Sequence, residues 1–289
     1  PQILARAATA RNIPFVLSTV TTASIEAIAN LTEGKAWFQL YHPAEKQVLD
    51  DMLDRLWQTG YRVLVVLTDV PSFGFRPRDI RNGLSMPPRM TVKNIVQGIL
   101  NPRWSLLTLR HGMPQFASLT KYMPANLNMS QLGQFMNKTF SGKMTPERLQ
   151  YLRDRWKGTL VVKGIATLAD AEKCYTTGAD GIIVSNHGGR QVDAGEAAIS
   201  SLQRIQPAYG KKMTVMMDSG IRSGVDVART LASGAAFTFL GRTFMYGVGA
   251  LGQQGGEHTI SLLQVQLQQV MEQLGCPAVS SLPRHLQPM

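Results

Sequence analysis

Seven short, almost continuously apolar runs recur along the chain, and most are followed by a stretch with helical spacing. The runs are IPFVLS (13–18), AWFQLY (36–41), RVLVVLTD (62–69), TLVVKG (159–164), GIIVSN (181–186), TVMMDS (214–219) and FTFLG (237–241). Runs without polar alternation are typical of parallel strands that are buried on both faces. The pattern therefore predicts an α/β fold in which a parallel sheet is built from alternating strands and helices.

The segments beside these runs have the periodicity of amphipathic helices. They are QILARAATARN (2–12), SIEAIANL (24–31), AEKQVLDDMLDRLWQTG (44–60), PERLQYLRDRW (146–156), LADAEKCYTTG (168–178) and GVDVARTLASG (224–234). Three of them close on Gly60, Gly178 and Gly234, and glycine at this position commonly ends a helix.

Polar side chains cluster where the apolar runs end. They are Ser18, Gln39, Tyr41, Asp69, Lys163, Asn186, His187, Asp218, Gly241 and Arg242. A (β/α)₈ (TIM) barrel concentrates its chemistry at strand ends in this way, whereas a doubly wound sheet gathers it at one switch point. We predict one TIM-barrel domain over residues 1–289. Because a closed barrel has eight strands, we expect its N-terminal region and first strand to lie upstream of this sequence.

One segment, residues 80–146, interrupts the alternation and would follow the fourth strand of such a barrel. It contains no acidic residue, seven of the chain's 14 Met, and eight basic residues, which are Arg81, Arg89, Lys93, Arg103, Arg110, Lys121, Lys138 and Lys143. It is much longer than an ordinary β–α loop, so it is predicted to be an insertion. Cationic residues mixed with apolar and aromatic ones favour contact with an anionic membrane surface. The alternative is a lid or a subunit contact.

The whole chain is basic, with 30 Lys and Arg against 19 Asp and Glu among 289 residues, a net charge of +11. Such a charge suits nucleic acid, anionic membranes or anionic ligands. No nucleic-acid recognition motif accompanies it, so nucleic acid is not an expected partner. The two cysteines, Cys174 and Cys276, lack the spacing of metal ligands, and no metal site is predicted.

The last two apolar runs end in similar sequences that suit a phosphate group. DSGIRSG (218–224) contains Gly220 and Arg222, and LGRTF (240–244) contains Gly241 and Arg242. Glycines let backbone N–H groups approach an anion, and arginine grips phosphate oxygens with two donors. Barrels often bind phosphate after their last two strands. Ordinary turns with solvated arginines are the alternative.

Lysine and carboxylate side chains follow two other runs. Lys163 comes after three apolar strand residues and is expected to face the barrel mouth, opposite an anion, an electron-rich ring or a structural ion-pair partner. Asp69 ends the third run, where a carboxylate can orient an imidazole. Arg76 follows seven residues later, within reach of the same mouth.

The segment SNHGGRQVD (185–193) places His187 and Arg190 on either side of two glycines. The glycines allow a tight turn, so both side chains can meet one small molecule. A group that takes a proton beside a group that holds an anion is a pairing that suits a small carboxylic acid. A lone histidine is more often structural, but this one lies beside the predicted phosphate site.

Together, SNHGGRQVD, FQLY, VVKGI, DSGIRSG and LGR resemble the FMN-dependent L-α-hydroxy-acid dehydrogenases and oxidases, over essentially the whole chain. The basic insertion is most similar to that of the membrane-associated, quinone-linked bacterial L-lactate and mandelate dehydrogenases. The resemblance implies FMN as cofactor. It assigns Ser18 and Gln39 to the flavin ring, Lys163 to the ring's N1/O2 edge, Asp218 to the ribityl chain, and Gly220, Arg222, Gly241 and Arg242 to the phosphate.

The resemblance also implies a substrate site. His187 would be the base, Asp69 its partner, and Arg190 the main carboxylate clamp, with Arg76 and Tyr41 as further substrate contacts. One departure is Leu67, since the family usually has threonine at this position. Flavin affinity or redox potential is expected to change accordingly.

The implied activity is oxidation of an L-2-hydroxy acid, with L-lactate favoured because the insertion's length and its NPRW element resemble the lactate enzymes. A membrane quinone as acceptor, a homotetramer and a peripheral position on the cytoplasmic face of the inner membrane follow from the same resemblance. The alternatives are an oxygen-using oxidase, a mandelate dehydrogenase, a non-catalytic FMN-binding fragment, or another phosphate-binding barrel such as an isomerase.

Overall fold

A computed structural model describes residues 1–72, 76–83, 91–112, 114–124, 127–140 and 142–286. Six strands form one parallel sheet in chain order, so each strand pairs with the next one along the sequence. They are β1 (Val16–Ser18), β2 (Trp37–Leu40), β3 (Val63–Leu67), β4 (Thr159–Ile165), β5 (Gly181–Val184) and β6 (Thr214–Met217). The predicted α/β fold with a parallel sheet is confirmed.

Helices connect the strands and cover one face of the sheet. They are α1 (Gln2–Ala10), α2 (Ile25–Leu31), α3 (Lys46–Gln58), α4 (Pro77–Arg81), α5 (Val92–Leu100), α6 (Pro102–His111), α7 (Met129–Phe140), α8 (Pro146–Arg155), α9 (Leu168–Thr176), α10 (Ala198–Tyr209), α11 (Gly224–Ala232), α12 (Arg242–Leu251) and α13 (Gly255–Gln273). Short 3₁₀ turns lie at Thr120–Tyr122, His187–Gly189, Gly252–Gln254 and Val279–His285.

Both faces of the sheet are apolar, which explains why its strands read as continuous apolar runs. Alternate residues such as Phe38, Leu64 and Val162 pack outward into the main core with the helices. The other face, called the inner face here, consists of Val16, Trp37, Val63, Val65, Val161, Ile183, Met216 and Phe239. Because successive strand residues point to opposite faces, one strand serves both layers.

The predicted seventh strand, FTFLG (237–241), is only partly formed. Thr238 makes an isolated parallel bridge with Met217, and the backbone N–H of Phe239 donates to the Met217 carbonyl at 2.9 Å. Helix α12 begins at Arg242, so the extended segment is too short for a full ladder. The prediction of a complete strand there was wrong, although the segment does lie beside β6.

Local sequence signals set the ends of several helices. The side chains of Ser24, Thr145 and Thr167 each accept a hydrogen bond from the backbone N–H three residues on, at the first turns of α2, α8 and α9. Gly60, Gly178 and Gly234 follow the ends of α3, α9 and α11 with φ of 96°, 81° and 91°. The predicted glycine ends of these helices are confirmed.

The predicted insertion, residues 80–146, contains helices that the sequence patterns did not assign. Helices α5, α6 and α7 lie in it, and α7 packs onto the main core through Met136 and Phe140. Neither α5 nor α6 has a buried residue. Arg89, one of the eight basic residues of the segment, lies outside the described residues.

Candidate active site

A cavity of about 500 Å³ opens at the carboxyl ends of the strands. Its floor continues the inner face, because each floor residue follows an inner-face residue by two positions and so points the same way. These floor residues are Ser18, Gln39, Leu67, Lys163 and Asp218, which follow Val16, Trp37, Val65, Val161 and Met216. The apolar inner face is thus followed, two residues further along each strand, by the mostly polar cavity floor.

The structure brings the predicted site residues together around this one cavity. Its lining includes Ser18, Gln39, Tyr41, Arg76, Lys163, His187, Arg190, Asp218, Gly220, Arg222, Gly241 and Arg242. Asp69 is the exception, since it lies behind His187 and contacts the imidazole instead. Residues separated by more than 200 positions in the chain therefore face one space.

His187 and Asp69 form a hydrogen-bonded pair at the cavity wall. Nδ1 of His187 lies 3.1 Å from Oδ1 of Asp69, and both side chains are largely buried. A carboxylate at Nδ1 favours the tautomer with its proton on that nitrogen, which leaves Nε2 as the basic atom. Oδ2 of Asp69 is buried with no hydrogen-bond partner among the described residues. The pair can therefore accept a proton at Nε2 and stabilise the resulting imidazolium.

Gly164 makes room for this pair. The pairing of β4 with β5 shifts register between Lys163 and Ile165, and Gly164 between them has a φ of 99°. A Cβ atom at Gly164 would lie 2.7 Å from both Cβ and Cγ of Asp69. Only glycine combines this backbone conformation with that approach, so Gly164 fixes where the Asp69 carboxylate can lie.

Two arginines from separate loops approach each other at the mouth of the cavity. Arg76 Nη1 and Arg190 Nη2 lie 4.0 and 3.4 Å from Oδ2 of Asp79, and Arg76 Nη2 donates to Gln191 at 2.7 Å. Burial, and next the positive charge of Arg190, lower the pKa of Arg76 from its ordinary value. Arg76 Nε is buried without a hydrogen-bond partner among the described residues. The arrangement suits an added anion.

Tyr41 also lines the cavity. Its ring packs edge-on against Phe140, with 6.3 Å between ring centroids. Burial, and next the negative charge of Asp69, raise the pKa of the Tyr41 phenol above its ordinary value. The phenol therefore stays protonated at neutral pH and can donate a hydrogen bond to an acceptor in the cavity.

Lys163 is held at the floor by an ion pair and a hydroxyl. Its Nζ lies 2.9 Å from Oδ2 of Asp218 and donates to Ser185 Oγ at 2.8 Å. The predicted structural ion pair is thus present, and Lys163 still lines the cavity. One side chain satisfies both interpretations, because a buried ammonium needs an anionic partner whatever else it binds.

The floor also carries the amide of Gln39. Ser18 Oγ donates to Oε1 of Gln39 at 3.0 Å, while Nε2 of Gln39 is buried with no hydrogen-bond partner among the described residues. A buried donor without an acceptor is unfavourable, which points to a bound acceptor group at this place.

The far end of the cavity has open backbone and two arginines. A Cβ atom at Gly220 or Gly241 would meet no heavy atom of the described residues within 4 Å. Arg222 and Arg242 line this end, and Arg242 Nη2 donates to the carbonyl of Gly188 at 2.6 Å. Exposed backbone beside guanidinium groups is an arrangement that suits a phosphate.

Sequence analysis missed several residues that shape the site. Met136 of α7 lines the cavity, and its position in the insertion gave no signal. Ser185 and Ser219 are adjacent to predicted site residues, but serine after a strand is too common to single out. Gly164 stood in the quoted VVKGI run, where the glycine could have indicated an irregularity of the strand.

Comparison with known proteins identifies the family of this chain. Residues 2–288 match the family described as FMN-dependent dehydrogenase. The chain is 40% identical over 285 residues to (S)-mandelate dehydrogenase of Pseudomonas putida, covering 98% of this chain and 71% of that protein. It is 36% identical over 281 residues to L-lactate dehydrogenase of Xanthobacter autotrophicus, covering 97% and 72%.

A solved structure with the same fold is similar over the whole chain. It is described as the monotopic membrane protein (S)-mandelate dehydrogenase, with a TM-score of 0.92, 39% identity, and coverage of 100% of this chain and 76% of that one. The chain therefore belongs to the FMN-dependent α-hydroxy-acid dehydrogenase family, with FMN as its cofactor and an L-2-hydroxy acid as the substrate that it oxidises.

Proposed function

We propose that this protein is an L-2-hydroxy-acid dehydrogenase, with L-lactate as the first candidate substrate and a membrane quinone as the acceptor of its electrons. One observation carries the proposal. His187, backed by Asp69, lines the same cavity as two arginines and a protonated phenol, which is a base beside a carboxylate site. The reaction needs the base and the carboxylate site side by side. The acid is held by its carboxylate while the adjacent carbon is oxidised.

The residues around the cavity fit FMN. Gln39 offers a buried donor without a partner among the described residues, and the glycines at the far end leave space over their backbone. Ser18, Gln39 and Lys163 would hold the flavin ring, Asp218 the ribityl chain, and Gly220, Arg222, Gly241 and Arg242 the phosphate. Bound FMN supplies the two-electron acceptor for the oxidation.

His187 would move the proton. With Asp69 at Nδ1, Nε2 accepts a proton from the substrate, either from its hydroxyl or from its α-carbon. Both routes produce an imidazolium beside a buried carboxylate, and that charge pair stabilises the step. The chain's own residues thus provide the base and the compensating charge.

The arginines would hold the substrate. Arg190 and Arg76 lie on different loops, so a carboxylate between them is gripped from two sides. It would replace Asp79 as the anion nearest to Arg190, which is now 3.4 Å away. The Tyr41 phenol donates a further hydrogen bond. This grip would set the α-carbon beside His187 in one orientation, which gives selectivity for one enantiomer.

Two substrates compete for the assignment. The length and sequence of the insertion favour L-lactate. The similarity to (S)-mandelate dehydrogenase favours mandelate, and Met136 and Tyr41 provide cavity surface that an aryl group can contact. Either acid presents the same carboxylate and hydroxyl to the arginines and the histidine.

Anaerobic reduction of the flavin tests the proposal. We expect L-lactate to bleach the flavin absorbance of the purified protein and D-lactate to leave it unchanged, because the two arginines fix one face of the acid. Faster bleaching by (S)-mandelate would transfer the assignment to the aryl acid. Rapid return of colour in air would indicate an oxidase, whereas return only with a quinone supports the dehydrogenase. Loss of bleaching with every L-2-hydroxy acid would support the non-catalytic alternative.

The insertion would contact a membrane through α5 and α6. These consecutive helices expose large apolar side chains, among them Val92 (78%), Ile99 (73%), Trp104 (64%) and Leu109 (82%). A soluble surface rarely concentrates so many within 20 residues. Lys93, Arg103 and Arg110 lie among them, with no acid between residues 80 and 146. This composition matches helices that lie in the interface of an anionic bilayer.

The last helix of the insertion has a different role. Met136 of α7 lines the cavity and Phe140 packs on Tyr41, so α7 would serve as the lid. Membrane contact through α5 and α6 and a lid through α7 then coexist in one insertion. Among the described residues, no helix is both long enough and apolar enough to cross a bilayer. Surface attachment through α5 and α6 would bring the cavity close to a lipid-soluble acceptor.

Acidic substitutions on α5 and α6 test the membrane contact. We expect the double variant Ile99→Glu/Leu109→Glu to lose most of its binding to vesicles of phosphatidylglycerol and phosphatidylcholine, since two carboxylates would enter the apolar interface. Cosedimentation measures the bound fraction. Leu262→Glu/Val265→Glu is the matched control, because both side chains are exposed on α13, by 47% and 63%. Equal binding by the double variant and the parent would exclude this surface.

A further inference from the structure

Ser219 has a backbone conformation that serine rarely adopts. It lies just after β6 with a φ of 77°, in the left-handed region, although glycine would take this conformation without strain. The next residue, Gly220, has the same φ of 77°. A serine kept in such a conformation beside a functional site points to a use for its side chain.

The hydroxyl of Ser219 holds the turn that carries His187. Its Oγ accepts hydrogen bonds from the backbone N–H groups of Gly188 at 3.0 Å and of Asn186 at 3.3 Å. It donates its own hydrogen to Oδ1 of Asp218 at 2.9 Å. One side chain from the neighbouring strand end therefore holds the peptide group that follows His187 and the one that joins Ser185 to Asn186.

A second serine extends these bonds into a closed ring. Ser185 Oγ accepts from Lys163 Nζ at 2.8 Å and from the His187 N–H at 3.0 Å, and it lies 3.4 Å from Ser219 Oγ. Asp218 closes the ring through its 2.9 Å ion pair with Lys163. Two donors thus use the lone pairs of Ser185 Oγ, as the N–H groups of Gly188 and Asn186 use those of Ser219 Oγ, so each hydroxyl oxygen is fully engaged as an acceptor.

The turn needs this support because its own conformation is unfavourable. His187 has a φ of 55°, and Gly188 and Gly189 follow at 66° and 72°. The Gly189 N–H reaches the Asn186 carbonyl at 3.0 Å, but among the described residues the N–H groups of His187 and Gly188 have only the hydroxyls of Ser185 and Ser219 as acceptors. Glycine at position 219 would relieve the local strain but offer no acceptor.

We propose that Ser219 is a positioning residue for His187, whose strained backbone is retained because its hydroxyl fixes the imidazole-bearing turn. The proposal rests on the proposed function of His187 as the base. Loss of the Ser219 hydroxyl should therefore slow proton removal by His187 without preventing the protein from folding. Ser219 itself would contact neither the substrate nor the proton.

Substitution by glycine separates this role from a structural one. In Ser219→Gly we expect the melting temperature to change little, because relief of the left-handed strain offsets the hydrogen bonds that are lost. We expect amide hydrogen exchange in residues 185–190 to accelerate about tenfold and the limiting rate of anaerobic flavin reduction to fall about tenfold, as for a lost hydrogen bond. The half-saturating acid concentration should change by less than about threefold, since Arg76 on another loop also holds the acid.

Two further variants complete the design. Ser219→Ala removes the hydroxyl but keeps the strain, so it should lose the same rate and melt at a lower temperature than Ser219→Gly. Asn12→Gly is the matched control, because Asn12 is also in the left-handed region at a φ of 51°, far from the cavity. It should change neither the reduction rate nor exchange in residues 185–190.

Three outcomes would overturn the inference. The first is parent-like exchange and reduction in Ser219→Gly. The second is a loss of rate in that variant that accompanies an equal loss of FMN binding and melting temperature, which would show a structural role. The third is slow reduction with unchanged exchange in residues 185–190. Undiminished reduction by His187→Gln would instead refute the proposed function, while the exchange measurement would still report on the turn.

Discussion

Replacing His187 with glutamine is expected to slow flavin reduction by the hydroxy acid at least about a thousandfold while leaving FMN bound. Glutamine fills similar space and can still face Asp69, but it cannot accept a proton at neutral pH. General base catalysis contributes about 10²–10⁴ to a rate, and the buried Asp69 carboxylate adds stabilisation that only an imidazolium uses. No other imidazole lines the described part of the cavity.

Stopped-flow absorbance under anaerobic conditions measures this rate, and the flavin content of the purified protein measures binding. His258→Gln is the control, since His258 is an exposed histidine on α13. We expect the control to match the parent in both measurements. Reduction of His187→Gln at a rate near that of the parent would remove His187 from the role of base.

Introducing a methyl group at Gly164 is expected to lower the rate of flavin reduction about a hundredfold and the free energy of unfolding by about 2 kcal/mol. The new Cβ would lie 2.7 Å from Cβ and Cγ of Asp69, and alanine is strained at a φ of 99°. Asp69 must move, so it can no longer hold Nδ1 of His187 at 3.1 Å. The orientation and the charge stabilisation of the imidazole are lost together.

Chemical denaturation and stopped-flow reduction of Gly164→Ala check the two effects. Gly249→Ala is the matched control, because Gly249 lies within α12 and a Cβ there meets no described heavy atom within 4 Å. Alanine in a helix should leave the rate unchanged and stabilise the protein slightly. A Gly164→Ala protein with the rate of the parent would show that Asp69 does not need its present position.

The sheet and most of the site could be predicted from the sequence for one physical reason. In a parallel sheet that is buried on both faces, a polar residue at a strand end is conspicuous after an apolar run. Lys163 after TLVV and His187 after GIIVSN stood out in this way. Their meeting in one cavity follows from parallel strands, whose carboxyl ends share one edge.

Other features depended on contacts that no local pattern records. The segment 237–241 has the composition of a strand, yet the start of α12 limits it to a single bridge. Helices α5 and α6 have no buried residue, so their apolar residues do not pack on the core, and an apolar helix face alone does not say what covers it. Ser219 gained its role from a left-handed backbone and from N–H groups more than 30 residues earlier in the chain.

Each residue of the cavity floor lies two positions after a residue of the inner face and points the same way. An error in strand register would therefore disturb both layers. If β4 slipped by one residue against its neighbours, Val162 or Gly164 would replace Lys163 at the floor, and Val161 would leave the apolar layer beneath it. A misregistered sheet would therefore lose packing and cofactor contacts together. Uptake of the yellow cofactor then reports correct strand pairing, so refolding can be followed by colour without any measurement of turnover.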